Sequence, residues 1–411
     1  MPDRRLLAVP ILLVVPATAL AVVAVPEASD KAMAYYYTRN WLWALGLAGG
    51  LIVPALFLFT GWSARIRDFA YRMSSRWAVR LLVYLLVFGA VTFLIGLPFN
   101  YYEGFVVEHQ FGLSNQTFAK WATDSLIAFG VGTVIGFPLL FGLYWLLTRS
   151  PQRWWLYMGL ISVPFVVLLL MVAPIWIEPL FNNFGPMKDR ALEAKILTLA
   201  SRAGIEGGRV FEVEKSVDTK KMGAYVNGFG DTKRIVFFDT MLKRMDEPEM
   251  MFVLGHEMGH YVLGHVWKLI LAFCALITLS LYVAHRLSRA LIERHRGRFG
   301  FDRLDDIASW PLINLVSTLV VVVAAPVFNA YVRYNEHEAD RFGLEIARNN
   351  DAAATAFVKL LSDNLGNPRP HPLIHLLRDD HPRPADRIEF ANTYRPWEKG
   401  EPLVYGEIIH K

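Results

Sequence analysis

Long apolar runs, separated by short polar segments, dominate the chain. Seven of them come close to or exceed the roughly 20 apolar residues that a helix needs to cross a bilayer. They occupy residues 6–25, 41–60, 78–99, 125–147, 154–176, 266–285 and 310–332. A helix satisfies all of its backbone hydrogen bonds internally, which lipid requires. The pattern therefore predicts a mainly α-helical integral membrane protein with seven spans.

The first run has a second interpretation. Arg4 and Arg5 precede it, and small residues surround Ala24, so residues 1–25 also fit a cleaved signal peptide. The length of the run favours a retained helix.

Two regions lack the apolar pattern. Residues 178–265 alternate in polarity and predict a helix over 190–203 and strands over 209–213, 224–229 and 234–238. Residues 333–411 carry many charges. The predicted organisation is five spans in 1–177, an extramembrane region in 178–265, two spans in 266–332 and a C-terminal region in 333–411.

Composition agrees with a membrane protein. The chain is 54% hydrophobic and 19% charged, against about 45–50% and about 25% for soluble domains. A single cysteine, Cys274, excludes an internal disulfide and a CxxC zinc site. A bound metal must therefore use His, Asp or Glu. No phosphate-binding or dinucleotide motif occurs, and membrane orientation explains the basic loops better than nucleic acid does.

Positive charge is distributed unevenly between the two sides. The N-terminus and the segments after spans two, four and six hold 14 Lys and Arg residues, whereas the opposite short loops hold Lys31, Arg39 and Lys120. The positive-inside rule places the first set in the cytoplasm. Regions 178–265 and 333–411 then lie together on the outer face.

Residues 256–260 read His-Glu-Met-Gly-His. On a helix, His256 and His260 share one face and can bind one zinc ion, while Glu257 reaches a bound water molecule. Asp246 and Glu249 form a capping-box pattern, which predicts a helix that begins near residue 247 and continues into the sixth span. The competing interpretation is a pair of surface histidines on an amphipathic helix.

A catalytic zinc ion needs a third protein ligand. Glu336 and Asp340 lie four apart on a helix after the seventh span, so Glu336 is a candidate ligand and Asp340 a candidate partner for a ligating histidine. Spacing alone does not decide between Glu336 and Glu338, and charged residues after a span also occur as a solvated helix start. His265, five residues after His260, could lie near the site, but the favoured interpretation is an interfacial residue.

Several motifs, in order, resemble the type I CAAX prenyl endopeptidases. The matching segments are LPFNYYEGFVVEHQFG (97–112), PLFNNFGPM (179–187), KRIVFFDTML (233–242), HEMGHYVLGH (256–265), VRYNEHEAD (332–340) and HPRPADRI (381–388). One position departs from the family: its substrate strand usually reads Ser-Asn-Ala-Tyr, whereas this chain has Gly223 in the Asn position.

The resemblance implies roles for individual residues. The implied ligands of one zinc ion per chain are His256, His260 and Glu336. Glu257 is the implied general base, Asp340 orients a ligand, and His381 and Arg387 stabilise the substrate or oxyanion. A substrate strand would pair with the edge that contains Ala224, Tyr225 and Asn227.

The implied fold is seven helices around a large chamber, capped by a zincin-like domain with a small β-sheet. The implied function is a membrane-embedded zinc metalloendopeptidase that removes the last three residues of prenylated CAAX proteins and acts on other membrane-associated proteins. In eukaryotic members the zinc domain faces the cytosol, in conflict with the charge count. The alternative is a non-catalytic transporter or receptor with a vestigial site, but the spans contain almost no ionisable residues at mid-depth.

Overall fold

Six helices are long and apolar enough to cross a membrane in the computed structural model, which describes residues 22–228 and 233–410. They are Asp30–Phe59, Trp77–Gln110, Phe118–Arg149, Trp154–Leu180, His265–Phe299 and Ile307–Ala347. These six helices confirm the helices predicted from the second to seventh apolar runs. The first run lies outside the described residues except for residues 22–25, which are not helical. Asn392 holds this segment through hydrogen bonds with the backbone of Val23, at 3.1 and 2.9 Å.

Helices provide most of the described structure. Their bounds are α1 Asp30–Phe59, α2 Trp62–Met73, α3 Trp77–Tyr101, α4 Val107–Gln110, α5 Phe118–Arg149, α6 Trp154–Val172, α7 Arg190–Arg202, α8 Asp239–Leu242, α9 Glu247–Val262, α10 His265–Phe299, α11 Trp310–Ala347, α12 Asn350–Asp363, α13 Pro372–Leu377, α14 Pro384–Thr393 and α15 Pro396–Lys399. Two π-helical turns, Tyr102–Val106 and Ala173–Ile177, extend α3 and α6.

Two of these helices are longer than predicted. α10 continues to Phe299, although residues 286–303 were predicted as a loop between spans. That prediction was wrong because charged residues end an apolar run without ending a helix. Arg289 and Glu293 form an ion pair at i, i+4 spacing, which stabilises the helix. α11 likewise passes beyond the apolar run and includes Glu336 and Asp340.

The basic segments lie together at one end of the helices. Arg67, in α2, donates a hydrogen bond of 3.0 Å to the carbonyl of Gly300 and pairs with Asp306. At the other end, the Lys221 ammonium lies 3.0 Å from the Tyr35 hydroxyl near the start of α1. The basic loops and the region that contains the His-Glu-Met-Gly-His motif therefore occupy opposite ends.

A four-stranded sheet lies beside α9. Its strands are β1 Phe184–Pro186, β2 Arg209–Val213, β3 Ala224–Asn227 and β4 Arg234–Phe238, in the order β1-β2-β4-β3. β2 and β4 are parallel, and the other two pairs are antiparallel. The predicted bounds of β2 and β4 are confirmed, whereas β3 ends at Asn227 and residue 229 of its predicted range lies outside the described residues. The sequence did not predict β1, since a three-residue strand with Gly and Pro has no alternation to detect.

Candidate metal centre

The capped helix is confirmed. Asp246 accepts a hydrogen bond from the Glu249 backbone at 3.1 Å, and Glu249 accepts one from the Asp246 backbone at 2.9 Å. The two bonds satisfy amide groups that the first turn of α9 would otherwise leave unpaired. α9 does not continue into the sixth span as predicted. It ends at Val262, and Gly264 (φ +69°) separates it from α10, which begins at His265.

Glycines bring α9 unusually close to α11. A Cβ atom on Gly343 would lie 2.9 Å from the backbone nitrogen of His256, and one on Gly259 would lie 3.1 Å from Phe342 Cβ. A Cβ on Gly255 would lie 2.8 Å from Ile346. Only glycine, which has no Cβ atom, allows α9 and α11 to approach this closely. The approach places Glu336 and Asp340 next to the face of α9 that contains the histidines.

Three candidate ligand atoms converge there. The Nε2 atoms of His256 and His260 are 3.2 Å apart; the first lies 3.4 Å from one carboxylate oxygen of Glu336 and the second 3.3 Å from the other oxygen. Four ligands about 2.0–2.1 Å from zinc in a tetrahedron are about 3.3–3.4 Å from one another. His256 and Glu336 are 7% and 6% exposed. The donor set, its spacing and its burial therefore fit one zinc ion and leave a position for water.

Charge at the centre favours a cation. Burial alone would lower the pKa of His256, but hydrogen bonds and charge from Asp340 and Glu336 raise it to about 10. The Asp340 carboxylate lies 2.8 Å from His256 Nδ1 and is fully buried. Arg387 donates two hydrogen bonds to that carboxylate, at 2.9 and 2.6 Å. The contact between Asp340 and Nδ1 directs the other nitrogen of His256 toward the candidate metal position.

Glu257 and His381 lie at the same centre. The charges of His256 and His260 act on the Glu257 carboxyl, and burial raises its pKa. His381 Nε2 is 3.2 Å from Glu336, and its Nδ1 is 2.7 Å from Asp380. His381 is half exposed.

His265 was interpreted as an interfacial residue, and that interpretation was wrong. It is fully buried, with its Nδ1 3.1 Å from Nδ1 of His260 and its Nε2 3.4 Å from Glu338. The break at Gly264 places His265, the first residue of α10, against His260. Glu338, the residue that spacing did not separate from Glu336, therefore contacts His265 rather than the candidate ligand atoms. In the sequence, the only signal for this contact was the position of His265, five residues after His260.

We expect His265→Phe to weaken metal binding by about 10- to 100-fold, because His260 would lose the group that orients its ring. Competition with a chromophoric chelator measures the affinity directly. His295→Phe makes the same change near the opposite end of α10 and should leave the affinity unaltered. Equal affinities in the two variants would show that His265 does not orient His260.

The predicted substrate-pairing residues lie in β3, at the end of the sheet order. Tyr225 and Asn227 direct their side chains to Glu178, with hydrogen bonds of 2.9 and 3.2 Å, and Ala224 begins the strand. Gly223 precedes them, and a Cβ atom there would lie 3.0 Å from the Phe238 ring. Packing against Phe238 accounts for glycine at this position.

Comparison with known proteins identifies the family. A model described as peptidase family M48 matches residues 186–395, just over half of the chain. The chain belongs to peptidase family M48. A second model, described as the CAAX prenyl protease N-terminal region with five membrane helices, matches residues 13–183 of this M48 chain.

Similar M48 proteins come from bacteria and eukaryotes. The chain is 33% identical to an uncharacterised metalloprotease, YhfN, of Bacillus subtilis, over 88% of this chain and 85% of the relative. It is 30% identical to a CAAX prenyl protease 1 homologue of Dictyostelium discoideum (72% and 69% covered) and 26% identical to CAAX prenyl protease 1 of Saccharomyces cerevisiae (75% and 71%). The fold matches the crystal structure of S. mikatae Ste24p with a TM-score of 0.78, at 23% identity, covering 89% of this chain and 88% of that one.

These similarities confirm the predicted class. The M48 chain is an integral, multi-pass membrane metalloprotease with a mainly helical, Ste24p-like fold and a small sheet. A non-catalytic transporter or receptor is not favoured. The family implies a bound metal ion, and His256, His260 and Glu336 offer a candidate site for it.

Proposed function

We propose that this protein is a zinc endopeptidase that removes the C-terminal tripeptide from prenylated CAAX proteins and also cleaves other membrane-associated proteins. The convergence of His256, His260 and Glu336 within ligand distance of one another, next to the spanning helices, carries the proposal. The names of the relatives from Dictyostelium and yeast support the substrate class. The reaction needs a peptide substrate in the bilayer and no nucleic acid.

Each residue at the centre has a proposed role. His256, His260 and Glu336 hold one zinc ion per chain, which when bound polarises the scissile carbonyl and acidifies water. Glu257 accepts a proton from the attacking water and transfers it to the leaving amine. His381 donates a hydrogen bond to the developing oxyanion. Asp340 and Arg387 position His256, and the backbone of Ala224, Tyr225 and Asn227 pairs with the substrate.

The proposed architecture has seven helices around a chamber. Residues 1–177 supply five helices, 266–332 supply two, and 178–265 and 333–411 form the zincin-like cap. Four described spans fall within residues 13–183, where the matching family model has five membrane helices.

A pair of peptides tests the function. Purified protein with zinc should cleave a farnesylated CAAX peptide and leave its unprenylated counterpart largely intact. A chelator should abolish cleavage because the reaction needs the metal. Added zinc should restore cleavage, because a single chain supplies all three proposed ligands and can rebind the ion. Cleavage that persists after the metal content falls to zero would contradict the proposal.

We propose that the metal centre lies on the outer face, since the basic loops lie at the opposite end of the helices. Cys274 is the single native cysteine and is buried, so it should not react with the reagent. Labelling therefore reports the position of an introduced cysteine. A membrane-impermeant maleimide applied to intact cells should label Lys399→Cys, at an exposed position of the cap, and not Ser75→Cys, between α2 and α3. The reverse labelling would place the centre in the cytoplasm.

A further inference from the structure

A cavity of about 550 Å³ adjoins the metal centre, between the first turns of α1, the end of α12 and the segment before α14. Its size is within the range of about 300–1,000 Å³ that is typical of ligand sites. His381 and Arg387 of the metal centre form part of its wall. The remaining basic side chains of the wall are Arg39, Lys221, Arg378 and Arg383.

Two of these basic groups are already neutralised, and two are not. Arg39 pairs with Glu103 at 3.0 Å, and Lys221 pairs with Glu108 at 2.9 Å. Within the described chain, no ion pair joins Arg378 or Arg383 to a carboxylate. The cavity thus has two guanidinium groups that form no ion pair with a described carboxylate, although the charge of the adjacent Asp379 acts on Arg378.

The acidic residues of the wall are engaged elsewhere. Asp379 lies 3.4 Å from His375, and Asp380 lies 2.7 Å from His381. Burial lowers the pKa of Arg378, whose nearest hydrogen-bond partner is the neutral amide of Asn40. The Nε atom of Arg383 is buried without a hydrogen-bond partner. Both arginines are half-buried, and a partly buried charge without an ion-pair partner is costly, so both side chains suit an anionic ligand.

The sheet directs a substrate toward this cavity. β3 pairs with β4 on one side, and no strand of the described residues pairs with its other edge. A peptide that adds antiparallel to that edge runs with its C-terminal end toward residue 224 and then toward Lys221, which lines the cavity. The segment after the scissile bond would therefore leave the metal centre at His381 and enter the basic cavity.

We propose that this cavity binds the free C-terminal carboxylate of the substrate through Arg378 and Arg383. The metal centre forms one wall of the cavity, and guanidinium groups without an ion-pair partner form another. A short peptide segment fits this arrangement when its scissile bond lies at the metal centre and its terminal carboxylate at the guanidinium groups. Binding the chain end would fix how many residues separate it from the cleaved bond. The inference rests on the proposed function and adds the group that the protein recognises.

Two farnesylated peptides that differ only in a free acid or an amide at the C-terminus test this inference. For the zinc-loaded wild-type protein, we expect kcat/KM to favour the acid by roughly 10- to 100-fold, the range expected for hydrogen bonds to a charged group. Arg378→Gln and Arg383→Gln should each lower kcat/KM for the acid, mainly by raising KM, and leave the amide unchanged. Arg369→Gln removes an exposed, paired arginine from the same segment and should retain the preference.

The outcomes separate this inference from the proposed function. Equal cleavage of acid and amide by the wild-type protein would overturn carboxylate binding while the endopeptidase function stands. A preference that persists undiminished in both variants would also overturn the assignment to Arg378 and Arg383. Failure of the wild-type protein to cleave either peptide would instead contradict the proposed function. If one variant does not fold, the wild-type comparison and the other variant still decide.

Discussion

Replacement of Glu257 with glutamine is expected to lower kcat for peptide cleavage by about 100- to 10,000-fold, the usual contribution of a general acid–base group. Glutamine has nearly the same shape but does not accept a proton at neutral pH. The Glu257 carboxylate is not among the three clustered donor atoms, so metal content should remain at one ion per chain. Initial rates on a farnesylated CAAX peptide and elemental analysis of the purified protein measure the two effects.

Glu247→Gln is the matched control for this change. Glu247 begins the same helix, is exposed and pairs with Lys195 at 2.7 Å. An exposed pair of this kind contributes at most about 1 kcal/mol to folding stability, so the rate should remain within about twofold of wild type. Full activity in Glu257→Gln with stoichiometric metal would eliminate Glu257 as the base.

Features that depend on local sequence were predicted correctly. The start of α9 follows from Asp246 and Glu249, because a capping box involves only the first turn of a helix. His256 and His260 share a face because the helical repeat requires it. Glu336 needed the resemblance to known endopeptidases, since spacing alone did not separate it from Glu338. The structure separates the two by their contacts, one with the two histidines of the motif and the other with His265.

Features that depend on distant contacts were not predicted. The role of His265 depends on the turn at Gly264, which returns the start of α10 to His260. The unpaired charge of Arg378 appears only when α1, α12 and the segment before α14 enclose one cavity. No periodicity encodes either arrangement, because the first depends on a break between two helices and on the distant Glu338, and the second on segments far apart in the chain, whose relative positions come from packing.

Gly343→Ala is expected to reduce activity by about 100-fold, the effect of a displacement of about 1 Å at a catalytic centre. The new Cβ atom would lie 2.9 Å from the backbone nitrogen of His256, where no flexible side chain is able to yield. α9 and α11 must therefore separate, and the two histidines lie on one helix while Glu336 lies on the other. Metal affinity, measured by chelator competition, and Tm should both fall.

Gly297→Ala makes the same substitution in α10, at an exposed position where no atom lies within 4 Å of the new Cβ. Alanine favours a helix over glycine by about 0.5–1 kcal/mol, so this variant should be slightly more stable and bind metal normally. Helix propensity acts in the same direction at both positions. If Tm and metal affinity fall in Gly343→Ala but not in Gly297→Ala, the difference reports the close approach of α9 and α11. Equal behaviour of the two variants would show that the ligand positions do not depend on this approach.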